Sequence, residues 1–524
     1  MVNQKEIDEG IFVPGTVLLV DDAGQEVGKH ADGTHTEIVL IPPPSDDPND
    51  PLNWSMERKR LHLTLMCVYT FLLNGLINFY SVAYVGLAAD LNTTFNGLNV
   101  GSALLFLFTG VGAAFWQPVA MKFGRRLVYI IGLLITMIGS IVGAVQKDFA
   151  VWCVFNVLWS LGCGPKEGLP QISLQDTYFA HEMGAKVGYW ALCYSAGAFV
   201  TPLVAGYVYV RLGWRWCFWI TAIGLGSLAI VLFFTLEETF YPRSYNADGV
   251  SPSLSGAGAM TEKADTDTAG TDTTAPVVVE TPLPANWRAL FFRPWILASF
   301  PAVLWAGFFE GVSVCWWAAI FTTQSEFFSA PPYNWSGEGV GLTNAAALIG
   351  SIIGTLFAGN ISDWWVLGAA RRNKGIREPE QRLSLLLVTG VVTAGGLVMY
   401  GSGVQYGVQW VCPVFGIGLM AFGFTACSII AETYVLDSYR AVAAESLVLL
   451  NIFRNLIGMI FVFSIQPWLD HSGFSNAFLQ MMAVAIITHI TVIPMMIYGK
   501  GLRKGTAAAY LVMLEQSGIP ATFA

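Results

Sequence analysis

The sequence predicts an all-α membrane protein of twelve transmembrane helices in two six-helix bundles. Three observations predict it. Hydrophobic residues make up 54% of the chain and charged residues 12%, with a mean hydropathy of +0.55, which excludes a soluble globule with a polar skin. Apolar stretches of about 20 residues, long enough to span a hydrocarbon core of about 30 Å, recur along the chain. They form two sets of six, split by a polar segment from about Glu237 to Pro294.

Residues 1 to 57 are polar and acidic, and no short apolar run follows a basic start. The reading is a disordered cytoplasmic tail without a cleavable signal peptide, so that the first span acts as the signal. Residues 58 to 240 hold the first bundle, with spans near 61 to 86, 99 to 121, 127 to 145, 150 to 173, 186 to 209 and 216 to 236. A cytoplasmic linker follows over 241 to 290; from Ser244 to Thr281 it is rich in Ser, Thr, Gly, Ala and Asp and has no period that would bury a face. The second bundle fills 291 to 504, with spans near 295 to 320, 340 to 362, 383 to 402, 407 to 430, 442 to 466 and 474 to 498. A short cytoplasmic tail covers 505 to 524. Two such bundles predict a site where they meet near the bilayer midplane.

Lys and Arg favour cytoplasmic loops. With both termini inside, only Lys147, Arg211 and Arg215 fall in outward loops, and Lys166 and Arg454 fall within spans. All other basic residues lie in the tails and inward loops. The net charge of -9 resides mainly in the N-terminal tail and the mid-chain segment, and points to no nucleic-acid partner. The eight cysteines lie within or beside spans without CxxC or His/Cys spacing, which argues against structural disulfides and zinc. Sequons at Asn92 and Asn334 fall outside, marking a glycoprotein, but those at Asn53 and Asn360 fall inside. Among the 54 glycines, Gly139 with Gly143 and Gly350 with Gly354 are spaced to let helix backbones approach.

Two motifs carry a family resemblance. PVAMKFGRR at 118 to 126 resembles the signature GxLaDRxGRR of the major facilitator superfamily, matching at Gly124, Arg125 and Arg126 and placing Lys122 in the same loop. In the fifth span, GAFVTPLVAG at 197 to 206 resembles the antiporter motif gxxxGPxxGG, keeping Gly197, Pro202 and Gly206 but with Thr201 and Ala205 in place of two glycines. Pro202 frees a carbonyl, and the small residues around it thin the helix, giving a bend where the halves rock. The stretches IVLIPPPSDDPNDPLNWS (38 to 55), PKEGLPQISLQDTYFAHE (165 to 182), RRNKGIREPEQRL (371 to 383) and YVLDSYRAVAAE (434 to 445) look like the fungal branch. Asp363 looks like the signature aspartate repeated in the second half, expected to gate the cytoplasmic side with basic loops. The resemblance implies a secondary transporter similar to the fungal drug:proton antiporters. Such a protein moves a small organic molecule by alternating access, with a proton gradient as its energy source and no cofactor. Three positions depart from the pattern. Met121 replaces the signature aspartate, Gln117 its leading glycine, and Asn156 the arginine of RxxxGxG in the fourth span, an arginine tied to proton coupling; the coupling ion and the direction therefore stay open.

Each ionisable side chain within a span asks for a partner or a task, because it costs about 2.5 to 3.5 kcal/mol at the bilayer centre. Glu310 sits midway along the seventh span among Phe308, Phe309, Trp316 and Trp317, placed to exchange a proton or hold a cationic substrate. Lys166 and Glu167 are neighbours on the fourth span, where side chains one residue apart point about 100° apart and need not pair. They serve a proton or substrate, or an ion pair with another helix. Arg454, beside Asn451 and Asn455, is placed to offset Glu310 or Glu432. Asn74 and Asn78 share a face of the first span, and Tyr189, Trp190 and Tyr194 give aromatic surface for a flat or cationic ligand.

No GxxxxGK[ST] loop occurs, which excludes a primary pump of that kind. The six histidines are scattered, which argues against a membrane enzyme, and the short tail after 504 argues against a non-transporting nutrient receptor. The expectation is a monomer in the plasma membrane whose partners are lipid, protons and a small organic substrate. Export of a xenobiotic or secondary metabolite is the leading reading; proton-coupled import of an organic cation or nutrient is the alternative.

Overall fold

The computed structural model describes residues 12–18, 47–241, 245–246, 278–279, 287–373 and 376–516. The first half begins with α1 (Met56–Leu76), whose cap Ser55 accepts from the Arg58 N–H; a 3-10 turn then leads into α2 (Tyr84–Asp90). There follow α3 (Phe95–Phe123), α4 (Arg125–Val145), α5 (Phe149–Cys163), α6 (Leu169–Thr177), α7 (Ala180–Leu212) and α8 (Trp214–Thr235). Gly124, between α3 and α4, has φ +94°, a conformation that side chains resist. The Glu238 carboxylate caps α4 there, accepting the N–H groups of Arg125 and Arg126 at 2.9 and 3.1 Å.

In the second half, α9 (Trp287–Ile296) precedes α10 (Pro301–Ser329) and α11 (Gly337–Leu356), which a π-helical turn joins to α12 (Ser362–Arg372). Then come α13 (Leu385–Gln405), α14 (Val411–Ser438), α15 (Ala443–Ser472), α16 (Phe474–Ile490) and α17 (Val492–Gln516).

Among the described residues, 11 helices are long and apolar enough to cross a membrane. The twelfth expected stretch, near 150 to 173, is present but broken. Pro165 ends the regular helix, and a 3-10 turn over Gly164–Lys166 separates α5 from α6.

Packing in the first half is repeated in the second. The pairs α1 with α7, α3 with α5, α4 with α5 and α4 with α8 recur as α10 with α15, α11 with α14, α13 with α14 and α13 with α16. The halves touch each other mainly through α3 on α15 and α7 on α11. Small residues set these crossings. A methyl group on Gly341 would lie 2.9 Å from the Pro202 carbonyl oxygen, and one on Gly206 2.5 Å from that of Gly337. Around the outside, Phe234, Val391, Ile487 and Ile497 expose an apolar belt that suits lipid rather than water.

Both expected tails are partly built into the fold. Phe12 is buried, and Val17–Leu18 pairs antiparallel with Ile376–Arg377, because an apolar segment gains from burial against the second half. At the other end, α17 runs on to Gln516 with Tyr510, Met513 and Leu514 buried. Most of the expected linker lies outside the described residues; Tyr245–Asn246 and Val278–Val279 form one short antiparallel pair.

Gly350 packs directly on the Gly418 carbonyl, so Gly350→Leu forces α11 from α14. Overpacking of this kind costs about 1–3 kcal/mol. A lower melting temperature of the detergent-purified variant is expected, and an unchanged one contradicts this packing.

Candidate functional site

The break after α5 positions the first two charges. A methyl group on Gly164 would come within 2.6 Å of the Gly112 carbonyl carbon, so the turn lies flush on α3 and directs Lys166 and Glu167 inward. Both side chains are buried. Lys166 Nζ donates to Asn74 Oδ1 at 2.9 Å, lies 3.4 Å from Glu167 Oε1 and sits 5.5 Å above the Tyr194 ring. Asn74 is held in turn by its Nδ2 donating to the Tyr194 carbonyl at 2.8 Å. The adjacent Lys and Glu do pair, at the end of the 3-10 turn that follows α5.

Arg454 enters from α15 and joins both halves. It forms an ion pair with Glu167, donates from Nη1 to Glu310 Oε1 at 2.8 Å and lies 3.9 Å from Glu432 Oε1. Asn455 Nδ2 donates to Glu167 Oε2 at 3.3 Å, and Gln171 Nε2 on α6 donates to Glu432 Oε2 at 3.3 Å. The cluster thus holds Glu167, Glu310 and Glu432 against Lys166 and Arg454. With all five ionised, one negative charge is left over. Burial makes that surplus costly, so the site has the charge to take up one positive charge, a proton or a cationic group. The Glu310 side chain is 0% exposed, whereas that of Glu432 is 19% exposed, which makes Glu432 the carboxylate open to an entering ion.

Other expected residues stand in or near this cluster with different partners. Asn451 is buried one turn before Asn455 and accepts its side-chain N–H at the backbone carbonyl, 2.8 Å away. Asn78 ties α1 to α7 by donating to the carbonyls of Asn74 and Ala198. Trp316 is buried edge-on to Phe461, with ring centroids 6.2 Å apart. Asn156 is not brought into the cluster; its Nδ2 donates to the Trp152 carbonyl within α5 at 2.8 Å. Trp190 is buried and bonded to Thr70, while Tyr189, at 58% exposed, points away. Sequence reasoning weighed Glu432 only as a counter-ion for Arg454 and passed over Gln171. Glu432 is signalled by a lone carboxylate in the apolar run SIIAETYV; an amide such as Gln171 gives no comparable signal.

The motif residues lie away from the cluster. Gly197 abuts the Phe71 backbone of α1, and Thr201 Oγ1 donates to the Gly75 carbonyl at 2.6 Å. Pro202 is accommodated within α7, which runs unbroken through it. At the basic end, Arg125 pairs with Asp176, and Arg126 Nη2 donates to the Phe233 carbonyl at 2.6 Å. Lys122 lies 5.3 Å over the Phe123 ring. Asp363 accepts from Arg382 Nη2 at 2.7 Å, and Asp437 from Arg377 Nη2 at 2.5 Å. At the opposite end the halves are bonded across. Gln324 on α10 donates to Ser81 Oγ at 3.4 Å, and Ser325 Oγ donates to the Val82 carbonyl at 3.3 Å.

The family model described as Major Facilitator Superfamily matches residues 65–462. The chain is 30% identical over 573 residues to Protein HOL1 of Saccharomyces cerevisiae, covering 96% of this chain and 97% of that protein. It is 29% identical over 552 residues to an uncharacterized MFS-type transporter of Schizosaccharomyces pombe, covering 96% and 94% respectively. Among solved structures, a partially occluded inward open conformation of the xylose transporter XylE from E. coli superposes with a TM-score of 0.62 at 11% identity, covering 84% of this chain and 98% of that one.

Removing the shared cation strands buried carboxylates. Arg454→Met should therefore cost about 3–5 kcal/mol, read as a fall in melting temperature, and adding Glu167→Gln should recover part of the loss. A single variant as stable as the parent contradicts the cluster.

Proposed function

The chain belongs to the major facilitator superfamily, and from that premise we propose that this membrane transporter is proton-coupled, carries a small organic molecule with a cationic group, and works as an exporter. The observation that carries the reading is the single surplus negative charge buried between the halves. A site that lacks one positive charge accepts a proton or a cation but not both. Competition of this kind drives the two in opposite directions: cargo leaves when a proton displaces it. The small-residue crossings of α7 on α11 and α3 on α15 give surfaces on which the halves rock, and the Ser81 to Gln324 contacts close one end while the other loads. Tyr194, over Lys166 beside the cluster, adds an aromatic face for a flat or cationic cargo.

Import is the second reading, and one observation favours it. Glu310 and Glu432 are separate carboxylates sharing one guanidinium, so one can hold a proton while the other holds a cation, which is symport. In this reading the protein lies in the plasma membrane with both termini in the cytoplasm, an orientation that the basic loops support.

Glu310→Gln should abolish pH-driven uptake into inside-out vesicles while expression persists. Undiminished gradient-driven flux in that variant sinks the assignment, and flux driven by the opposite pH gradient selects symport. Orientation has its own check: cysteines placed in loop 371 to 382 should resist an impermeant reagent applied to intact cells, and labelling there overturns it.

A further inference from the structure

The segment Phe12–Leu18 belongs to the N-terminal tail, yet it packs on the second half. Phe12 is 6% exposed, inside the apolar cluster that holds Tyr434, Tyr439, Tyr510 and Leu514, and its ring stacks on Tyr510 with centroids 6.5 Å apart. Thr16 N–H donates to the Val13 carbonyl at 3.3 Å, turning the chain at Gly15. Gly15 has φ +78° and lies on the end of α14: a methyl group there would sit 2.6 Å from the Asp437 carbonyl oxygen and 2.7 Å from Ser438 Cα. Only glycine satisfies both the backbone angle and the approach.

Arg503 on α17, 0% exposed, closes the other side. It grips Glu380 through two bonds, Nε to Oε1 at 2.8 Å and Nη2 to Oε2 at 2.6 Å, and its Nη1 donates to the Pro14 carbonyl. Beyond the turn, Val17 pairs with Arg377 and Leu18 with Ile376 in a two-residue antiparallel bridge. Arg377 is also the partner of Asp437, so strand, loop and helix end are bonded to one another.

The helix end that Gly15 covers belongs to α14, which carries Glu432 one and a half turns earlier, with Tyr434 of the Phe12 cluster between them. We propose that residues 12–18 are a self-docking clip: a detachable peptide whose seat braces the basic end of α14 and so sets the position of the helix that bears Glu432. Its seat is built for this peptide by a glycine-only contact, a buried arginine aimed at a backbone carbonyl, and one aromatic slot. Attached, it stiffens α14; detached, it releases the last turns of that helix and the Arg377 to Asp437 link together. The claim concerns regulation and stands apart from cargo and coupling ion.

The test uses the full chain in detergent and a labelled peptide of residues 10–20. In a Gly15→Val chain the seat is vacated. Backbone amides at 433–438 should then exchange about tenfold faster, the scale expected from a strained residue costing over 1 kcal/mol. Added wild-type peptide should bind this chain saturably and restore slow exchange, whereas the peptide carrying Gly15→Val and the unmodified chain should show no such binding. Unchanged exchange in the Gly15→Val chain, or equal binding of both peptides, overturns the proposal. Should that chain fail to fold, Leu18→Cys with Ile376→Cys in an otherwise unmodified chain reads the docking directly. A linked tryptic fragment is expected, and its absence equally overturns the proposal.

Discussion

One guanidinium holds the middle of this molecule together. Arg454 contacts Glu167 from the first half and Glu310 and Glu432 from the second, so the strongest polar link between the halves is also the place where buried charge fails to cancel. A buried ion pair gives little net stability against a well-packed apolar alternative, yet losing one partner is expensive. In the proposed function that imbalance is put to use. The cluster ties the segment after α5 to α10, α14 and α15, so in the proposed function a motion of the halves would change the spacing of these charges.

Two further contacts between the halves involve no charge. Glycines at the crossings of α7 with α11 bring backbones together without interlocking side chains, and the contacts between Ser81 and Gln324 are neutral hydrogen bonds that can break and re-form. Charged pairs sit instead at the basic end, where Arg125 with Asp176 and Arg382 with Asp363 tie loops within each half. Met121 stands where the signature has an aspartate, and the first-half loop is held by Arg125 with Asp176 and by Glu238 as a helix cap.

Much of this was legible in the chain itself. Span positions follow from hydropathy because a lipid core admits little besides long apolar helices. Glu310, Lys166, Glu167 and Arg454 each announced themselves as an ionisable group in an apolar run, since such groups are costly there. What stayed hidden depended on tertiary placement. Gln171 and Asn455 are polar but uncharged and stand out less; Asn156, conspicuous as a departure from a motif, turned inward on its own helix. The break at Gly164 and Pro165, which ends α5 before Lys166 and Glu167, was not read from hydropathy. The docking of Phe12 to Leu18 joins residues nearly five hundred positions apart, and no local pattern encodes that partnership.

In the proposed function the surplus carboxylate serves transport and not stability. The most direct measurement compares the melting temperature and the gradient-driven flux of Glu432→Gln with those of the parent chain at neutral pH. The expected result is a protein at least as stable as the parent, because the cluster is then balanced, together with loss of coupled flux. A marked fall in melting temperature with coupled flux retained would contradict it.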